Sequence, residues 1–502
     1  MEVLEPVLTE TSTAVTSSEN YESALAEFLE RCPEYAATAS LDELRERDFA
    51  RLDANGSVYL DFTGGGLYGA SLIEQHSREL INGLYGNPHS TNPSSQASTV
   101  RTEGARRYVL KYFNAAPDEY ACVFTANASG ALKLVGESYP FAPGAHFLLT
   151  FDNHNSVNGI REFARHKGAT FNYSPIRSED LRFDEEALSR NLLQRVAGKN
   201  KLFGFPAQSN VSGAKHDLEW INRAQALGWD VLLDAAAFVP SNRLDLSKYK
   251  PEFVAISFYK MFGYPTGIGA LLIKKNVIPK LQRPWFAGGT VTVSSVRGDG
   301  YYYGADEVRF EEGTINYLEI PAVENGLRYL EAIGIEKISA RIHALTVWLL
   351  KELLALRHSN GRNVVRVYGP QDAEKRGGSI AVNFFDQDGE MHEFYEVEEK
   401  ANQSNISLRS GCFCNPGIDE TNHALPQDDL WNYFHSDGAK DYFGHIATSG
   451  RRRGAVRMSL GYVSNFADVW SALNFARSYV DSTRVASAMP MGSPCHPTFR
   501  DM

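Results

Sequence analysis

The stretch Val254-Ala-Ile-Ser-Phe-Tyr-Lys-Met-Phe-Gly-Tyr-Pro-Thr-Gly-Ile-Gly269 decides how this chain is read. An apolar, strand-like run from Phe253 to Phe258 delivers a single lysine, Lys260. A turn punctuated by glycine and proline follows, and a second strand-like run extends from Gly269 to Ile273. A lysine at the end of a buried strand is poorly placed for solvation. Burial lowers the pKa of an ammonium and leaves a nucleophilic amine. Such an amine forms a Schiff base with an aldehyde cofactor. Taken alone, the segment also fits a lysine at the rim of a sheet with its head in water.

One hydrophobic run upstream, Val231-Leu-Leu-Asp-Ala-Ala-Ala237, tips the balance. A strand there ends on Asp234. In an open α/β sheet the carboxyl ends of the strands line the ligand crevice. A carboxylate and a lysine on neighbouring strand ends suit pyridoxal phosphate. The carboxylate keeps the pyridine nitrogen protonated, so that the ring accepts electrons, and the lysine holds the aldehyde.

The run from Ser257 to Gly269 resembles the cofactor-lysine motif of class V aminotransferase-fold enzymes, most nearly the cysteine desulfurase domain of molybdenum cofactor sulfurases. The resemblance extends from about Tyr59 to Val469. It implies an α/β protein of the pyridoxal phosphate fold type I: a large, doubly wound, mostly parallel sheet domain and a smaller α+β C-terminal domain. The alternation of strand-like and helical segments up to about Ile273 argues for the same sheet. Five segments are expected. Residues 1–20 form a mobile tail, 21–55 are helices packing with the small domain, 56–320 are the cofactor-binding domain, 321–488 are the small domain, and 489–502 are a frayed end carrying Cys495.

Bulk properties narrow the class. The chain has 502 residues, 43% of them hydrophobic, enough for one large or two ordinary domains. A net charge of −11 with both signs mixed argues against nucleic-acid and membrane-surface partners. No apolar run reaches the length of a membrane span, and the N-terminus does not read as a signal peptide. Five cysteines, an odd number in a long chain, argue for a reducing compartment, so a cytoplasmic location is expected.

Other motifs supply the candidate site. Ala121-Cys-Val-Phe-Thr-Ala-Asn127 reads as a strand, and Ala128 and Ser129 open a helix. Free N–H groups at such a turn suit a phosphate, although an ordinary N-cap by Asn127 or Ser129 explains the same residues. The resemblance makes Ala128 and Ser129 the phosphate-gripping turn. In Asp152-Asn-His-Asn-Ser-Val157 it implies that His154 stacks on the cofactor ring and relays protons. It gives Asn210 a share of the substrate carboxylate, and lets Ser257 and Tyr259 donate to the phosphate. Thr314 would reach the phosphate of a neighbouring subunit, which implies a homodimer. Simpler cysteine desulfurases carry a glutamine three residues after the pyridine aspartate. Here that place is Ala237, so the donor to the cofactor's phenolic oxygen is left unassigned. Thr63-Gly-Gly-Gly66 is a loop where backbone passes close to something.

Arg409-Ser-Gly-Cys-Phe-Cys-Asn-Pro-Gly417 carries two cysteines one residue apart. A structural zinc needs four ligands and there is no second pair, so no metal is expected. A nucleophile on a mobile loop beside Arg409 is the better reading. The resemblance assigns the persulfide-carrying position to Cys414, with Cys412 assisting or resolving. Arg457, in Gly454-Ala-Val-Arg-Met-Ser-Leu-Gly461, reads either as a surface ion pair or, by resemblance, as the fork for the substrate α-carboxylate.

The expected activity is therefore a desulfurase that converts L-cysteine to L-alanine and keeps the sulfur on Cys414. Sulfurases of the eukaryotic type continue into a molybdopterin-binding domain. The chain stops soon after the small domain, so the expected sulfur acceptor is a separate protein. An alternative is another class V enzyme acting on a different amino acid as an aminotransferase, C–S lyase or C–C bond former. It would keep Lys260, Asp234 and His154 and have no need of Cys414. A non-catalytic pyridoxal-binding scaffold would be expected to have lost some of Lys260, Asp234 and Arg457.

Overall fold

The computed structural model describes residues 14–435, 437 and 441–484. The expected frayed end with Cys495, and residues 1–13 of the expected tail, lie outside that range. A helix already begins at Ala14 and runs to Arg31, inside the segment read as tail.

Fifteen strands lie among the described residues. A short strand β1 (Val58–Tyr59) comes first. Seven more, β2 (Tyr120–Thr125), β3 (His146–Thr150), β4 (Thr170–Ser174), β5 (Lys201–Pro206), β6 (Asp230–Asp234), β7 (Phe253–Ser257) and β8 (Gly269–Lys274), make one sheet in the order β2-β8-β7-β6-β5-β3-β4. All pairs are parallel except those of β8, which runs antiparallel to both β2 and β7. Every residue of β3 and β7 is buried. Successive residues feed two separate apolar clusters. Val254 and Ile256 join one, and Phe253 and Ala255 join the other. Both faces of the sheet are therefore covered, which is why these strands read as unbroken hydrophobic runs. The carboxyl ends of β2, β3, β5, β6 and β7 fall along one edge, followed directly by Asn127, Asp152, Gln208, Asp234 and Lys260.

A hairpin of β9 (Val291–Ser295) and β10 (Gly300–Tyr303) follows. Then come β11 (Val365–Tyr368), β12 (Ser379–Phe384), β13 (Ile406–Ser407), β14 (Arg409–Gly411) and β15 (Ala455–Ser459). Four of them form an antiparallel sheet, β11-β12-β15-β14. β1 pairs in parallel with β13 rather than with the large sheet, and the chain after it stays hydrogen-bonded to Ser459 of β15. The helices Ile320–Ile333 and Ile335–Ala355 lead into this region. The N-terminal helix packs there too. Phe28, fully buried, stacks on Phe466 at 4.8 Å and meets Tyr35 and Trp348 edge-on. Among the described residues no helix is long and apolar enough to cross a membrane.

Candidate active site

Lys260 sits in a one-turn helix, Phe258–Phe262, set directly on the end of β7. Two close approaches fix that turn. Gly263 takes φ +78, and a Cβ there would lie 2.4 Å from the backbone of Leu67 and Tyr68. Gly66 donates its N–H to the Tyr259 carbonyl at 3.0 Å, and a Cβ on it would lie 3.0 Å from the carbonyls of Tyr259 and Lys260. The loop Thr63–Gly66 is glycine-rich because it is pressed against the lysine turn. The Lys260 amine makes no hydrogen bond or ion pair with a described residue. Burial lowers its pKa, Asp234 opposes this, and Arg457 and Arg409 lower it further. Asp234, buried at the end of β6, accepts the Ala236 N–H at 3.0 Å.

The turn after β2 is built as a cap. The Asn127 side chain accepts from the Gly130 N–H at 3.0 Å. Ser257 is committed here, since its Oγ accepts the Ala128 N–H at 2.8 Å. Ser129 shares a 2.6 Å hydrogen bond with Ser156. Gly269 at the start of β8 admits the close approach, for a Cβ there would stand 2.5 Å from the Asn127 backbone. The Tyr259 ring lies instead against Gly65, with Arg409 and Asp61 the charges that act on it. Thr314 is exposed and accepts a hydrogen bond from Asn87 at 3.1 Å.

His154 caps the short helix Asn155–Asn158, its Nδ1 accepting the Ser156 N–H at 3.1 Å. The neutral ring therefore carries its proton on Nε2. Burial lowers its pKa, Asp234 opposes, and Lys260 and Arg457 lower it further, so the ring stays neutral to lower pH than usual. Gln208 is buried and accepts a hydrogen bond from Asn242 at 3.2 Å. It lines one cavity with Ala237 and Lys260, beside the place where Ala237 leaves a donor lacking.

The cysteine loop is tied down by its backbone. The Cys414 carbonyl accepts from the Asn155 N–H at 2.6 Å, and the Phe413 carbonyl accepts from Asn210 Nδ2 at 2.8 Å. Asn415 donates to Asp152 at 2.8 Å and to Asn210 at 3.0 Å. Asp152 is fully buried and is also held by His216 at 2.8 Å and Ser209 at 2.9 Å. Phe413 and Cys414 both take φ +54, a left-handed conformation that costs energy outside glycine. The Cys414 side chain remains exposed. Partial desolvation and the neighbouring Cys412 push its thiol above the ordinary range, against the pull of Arg409, Lys260 and Arg457. Desolvation therefore outweighs the cations that the reading of a nucleophile beside Arg409 relied on. Alkylation of Cys414 by iodoacetamide, followed by peptide mass, is accordingly expected to have its midpoint above the usual thiol pKa, and Arg409→Ala to move it higher still. A midpoint below the usual value would contradict the burial.

Arg457 is buried in β15. Its Nη1 donates to the Asn210 carbonyl at 2.8 Å, and its Nη2 pairs with Asp61 at 2.6 Å. The Phe413 ring covers the guanidinium at 5.2 Å. Nε is buried without a hydrogen-bond partner. The pyridoxal phosphate expected from the sequence is tested by these groups, and they fit it. A buried amine without a partner stands near a buried carboxylate, a helix N-terminus opens on the same edge, and an arginine keeps one donor unused. Among the described residues no cluster of three or more His, Cys, Asp or Glu is placed to hold a metal. Sequence reasoning missed Asp61, although it ends a strand-like run as Asp234 does. It also missed the His216–Asp152 pair.

The aminotransferase class-V family profile matches residues 58–470. The molybdenum cofactor sulfurase of Solanum lycopersicum is 36% identical over 500 residues, covering 91% of this chain and 60% of that protein. The sulfurase of Homo sapiens is 35% identical over 464 residues, covering 87% of this chain and 51% of that protein. The chain thus spans about 60% or less of the length of these relatives. A cysteine desulfurase from Thermococcus onnurineus NA1 superposes with a TM-score of 0.71 at 24% identity, covering 87% of this chain and 97% of its own. One from Escherichia coli gives 0.68 at 20%, covering 88% and 98%. At these identities the likeness is one of fold.

Proposed function

Since the chain belongs to the class V aminotransferase family, we propose that it is a pyridoxal phosphate-dependent cysteine desulfurase of the molybdenum cofactor sulfurase kind. The observation that supports this best is the tethering of the cysteine loop to the site: the Cys414 carbonyl is bonded to Asn155 beside His154, and the Phe413 ring lies over the Arg457 guanidinium at 5.2 Å.

Lys260 would hold the cofactor aldehyde, Asp234 would pair with the ring nitrogen, and His154 would lie against the ring. Ala128 and Ser129 at the helix N-terminus would take the phosphate, with Ser257, already bonded to the Ala128 N–H, supporting that turn; Tyr259, against Gly65, would have to reach it from the neighbouring loop. When bound, the cofactor supplies an electron sink for bond breaking around the substrate Cα. Arg457 and Asn210 orient the substrate through its carboxylate. The Lys260 amine would move the proton at Cα, with His154 as a second carrier. The Cys414 thiolate attacks the sulfur of L-cysteine. A new S–S bond forms, the C–S bond of the substrate breaks with its electron pair left on carbon, and a proton from these carriers completes L-alanine. The persulfide sulfur is then passed on to an acceptor. The enzyme works as a cytoplasmic homodimer in which Thr314 serves the partner's phosphate.

The raised Cys414 thiol favours the alternative, a class V enzyme acting on another amino acid without need of that residue. The deciding incubation uses the cofactor-loaded chain, L-cysteine and a dithiol, which is oxidised as it releases sulfide from the persulfide. Alanine and sulfide are expected in equal amounts. Absence of alanine would overturn the proposal.

A further inference from the structure

We propose that Asp61 sets the charge accepted at the substrate site, selecting amino acids with one carboxylate over dicarboxylic ones. The inference rests on Arg457 being the carboxylate anchor, as read above.

Arg409 and Arg457 stand directly opposite each other across β14 and β15. Like charges in that position repel. One carboxylate lies between them, with Asp61 Oδ1 2.6 Å from Arg457 Nη2 and Oδ2 3.0 Å from Arg409 Nε. Its seat is closely built. A Cβ at Gly64 would lie 2.4 Å from Asp61 Oδ2. The Asp61 carbonyl accepts the N–H groups of Gly64 at 3.0 Å and Gly65 at 3.1 Å, while the Tyr59 hydroxyl donates to the Gly65 carbonyl at 2.9 Å.

Two guanidiniums less one carboxylate leave a single positive unit at the site. That matches one α-carboxylate, for which the unpartnered Arg457 Nε is available. Arg409 is about half exposed, and Asp61 ties its Nε away from any second acid. A ligand's second carboxylate would meet Asp61 rather than a cation. Asp61 is thus a positioning residue, acting through the arginines.

The test titrates the cofactor's visible absorbance with L-alanine and with L-aspartate, in the loaded wild type and in variants, and reads the ratio of the two affinities. Asp61→Asn is expected to shift the ratio towards aspartate by about tenfold or more, since it frees Arg409 and removes a like charge. Arg409→Ala, at a side chain about half exposed, is expected to shift it the other way. Adding Arg409→Ala to Asp61→Asn should return it towards wild type. A ratio unmoved in either single variant, or unmoved by the second substitution, overturns the inference while leaving the proposed function intact. A wild-type band that responds to neither amino acid removes the reading of the site, and this inference with it.

Discussion

Lys260→Ala is expected to remove the visible absorbance band of the bound cofactor and to lower L-cysteine turnover by about a thousandfold or more. The size follows from how much is gathered at one atom. The amine that would hold the aldehyde also carries the proton at Cα, so its loss removes two functions at once. Lys260→Arg should not rescue, because a guanidinium stays protonated and forms no imine. The backbone of the turn owes its shape to Gly66 and Gly263 rather than to the lysine side chain, so the fold should persist. Unchanged near-ultraviolet circular dichroism would verify this. A variant that keeps both band and turnover would refute the assignment of Lys260.

Cys414→Ala separates the proposed function from its alternative. It should leave the absorbance band and its response to L-cysteine in place, yet cut alanine formation by about a thousandfold or more, because Cys414 is the proposed sulfur acceptor and Cys412, the less exposed thiol of the loop, has only an assisting role. The loop is fixed by carbonyls and by Asn415, none of which the substitution touches. Alanine at a position of φ +54 is no more strained than cysteine. If Cys414→Ala still forms alanine from cysteine at an undiminished rate, the persulfide role is wrong and the other class V reading takes its place.

Much of this was legible because the large sheet is buried on both faces. Continuous apolar runs ended at polar residues, and parallel pairing brings those ends to one edge, so Asp234, His154 and Lys260 could be read one strand at a time. The small sheet gives no such signal. Asp61 and Arg457 lie 396 positions apart and meet only because β1 leaves the large domain to pair with β13. Nothing in local spacing announces that pairing. The His216–Asp152 bond likewise depends on two loops converging beneath β3 and β5. Cys414 read as a nucleophile on a mobile loop beside Arg409. The inward fold of its loop, set by left-handed residues with side chains, was not visible in the composition.

The segment from Asp61 to Gly66 has a mechanical implication. One end is fastened to the strand bearing the arginine, and the other is fastened to the turn bearing the lysine. Six residues of chain thus act as a strap between the group proposed to grip the substrate and the group proposed to work on it. A swing of the small sheet would tug on the amine, so anchoring and reaction are geared together rather than independent.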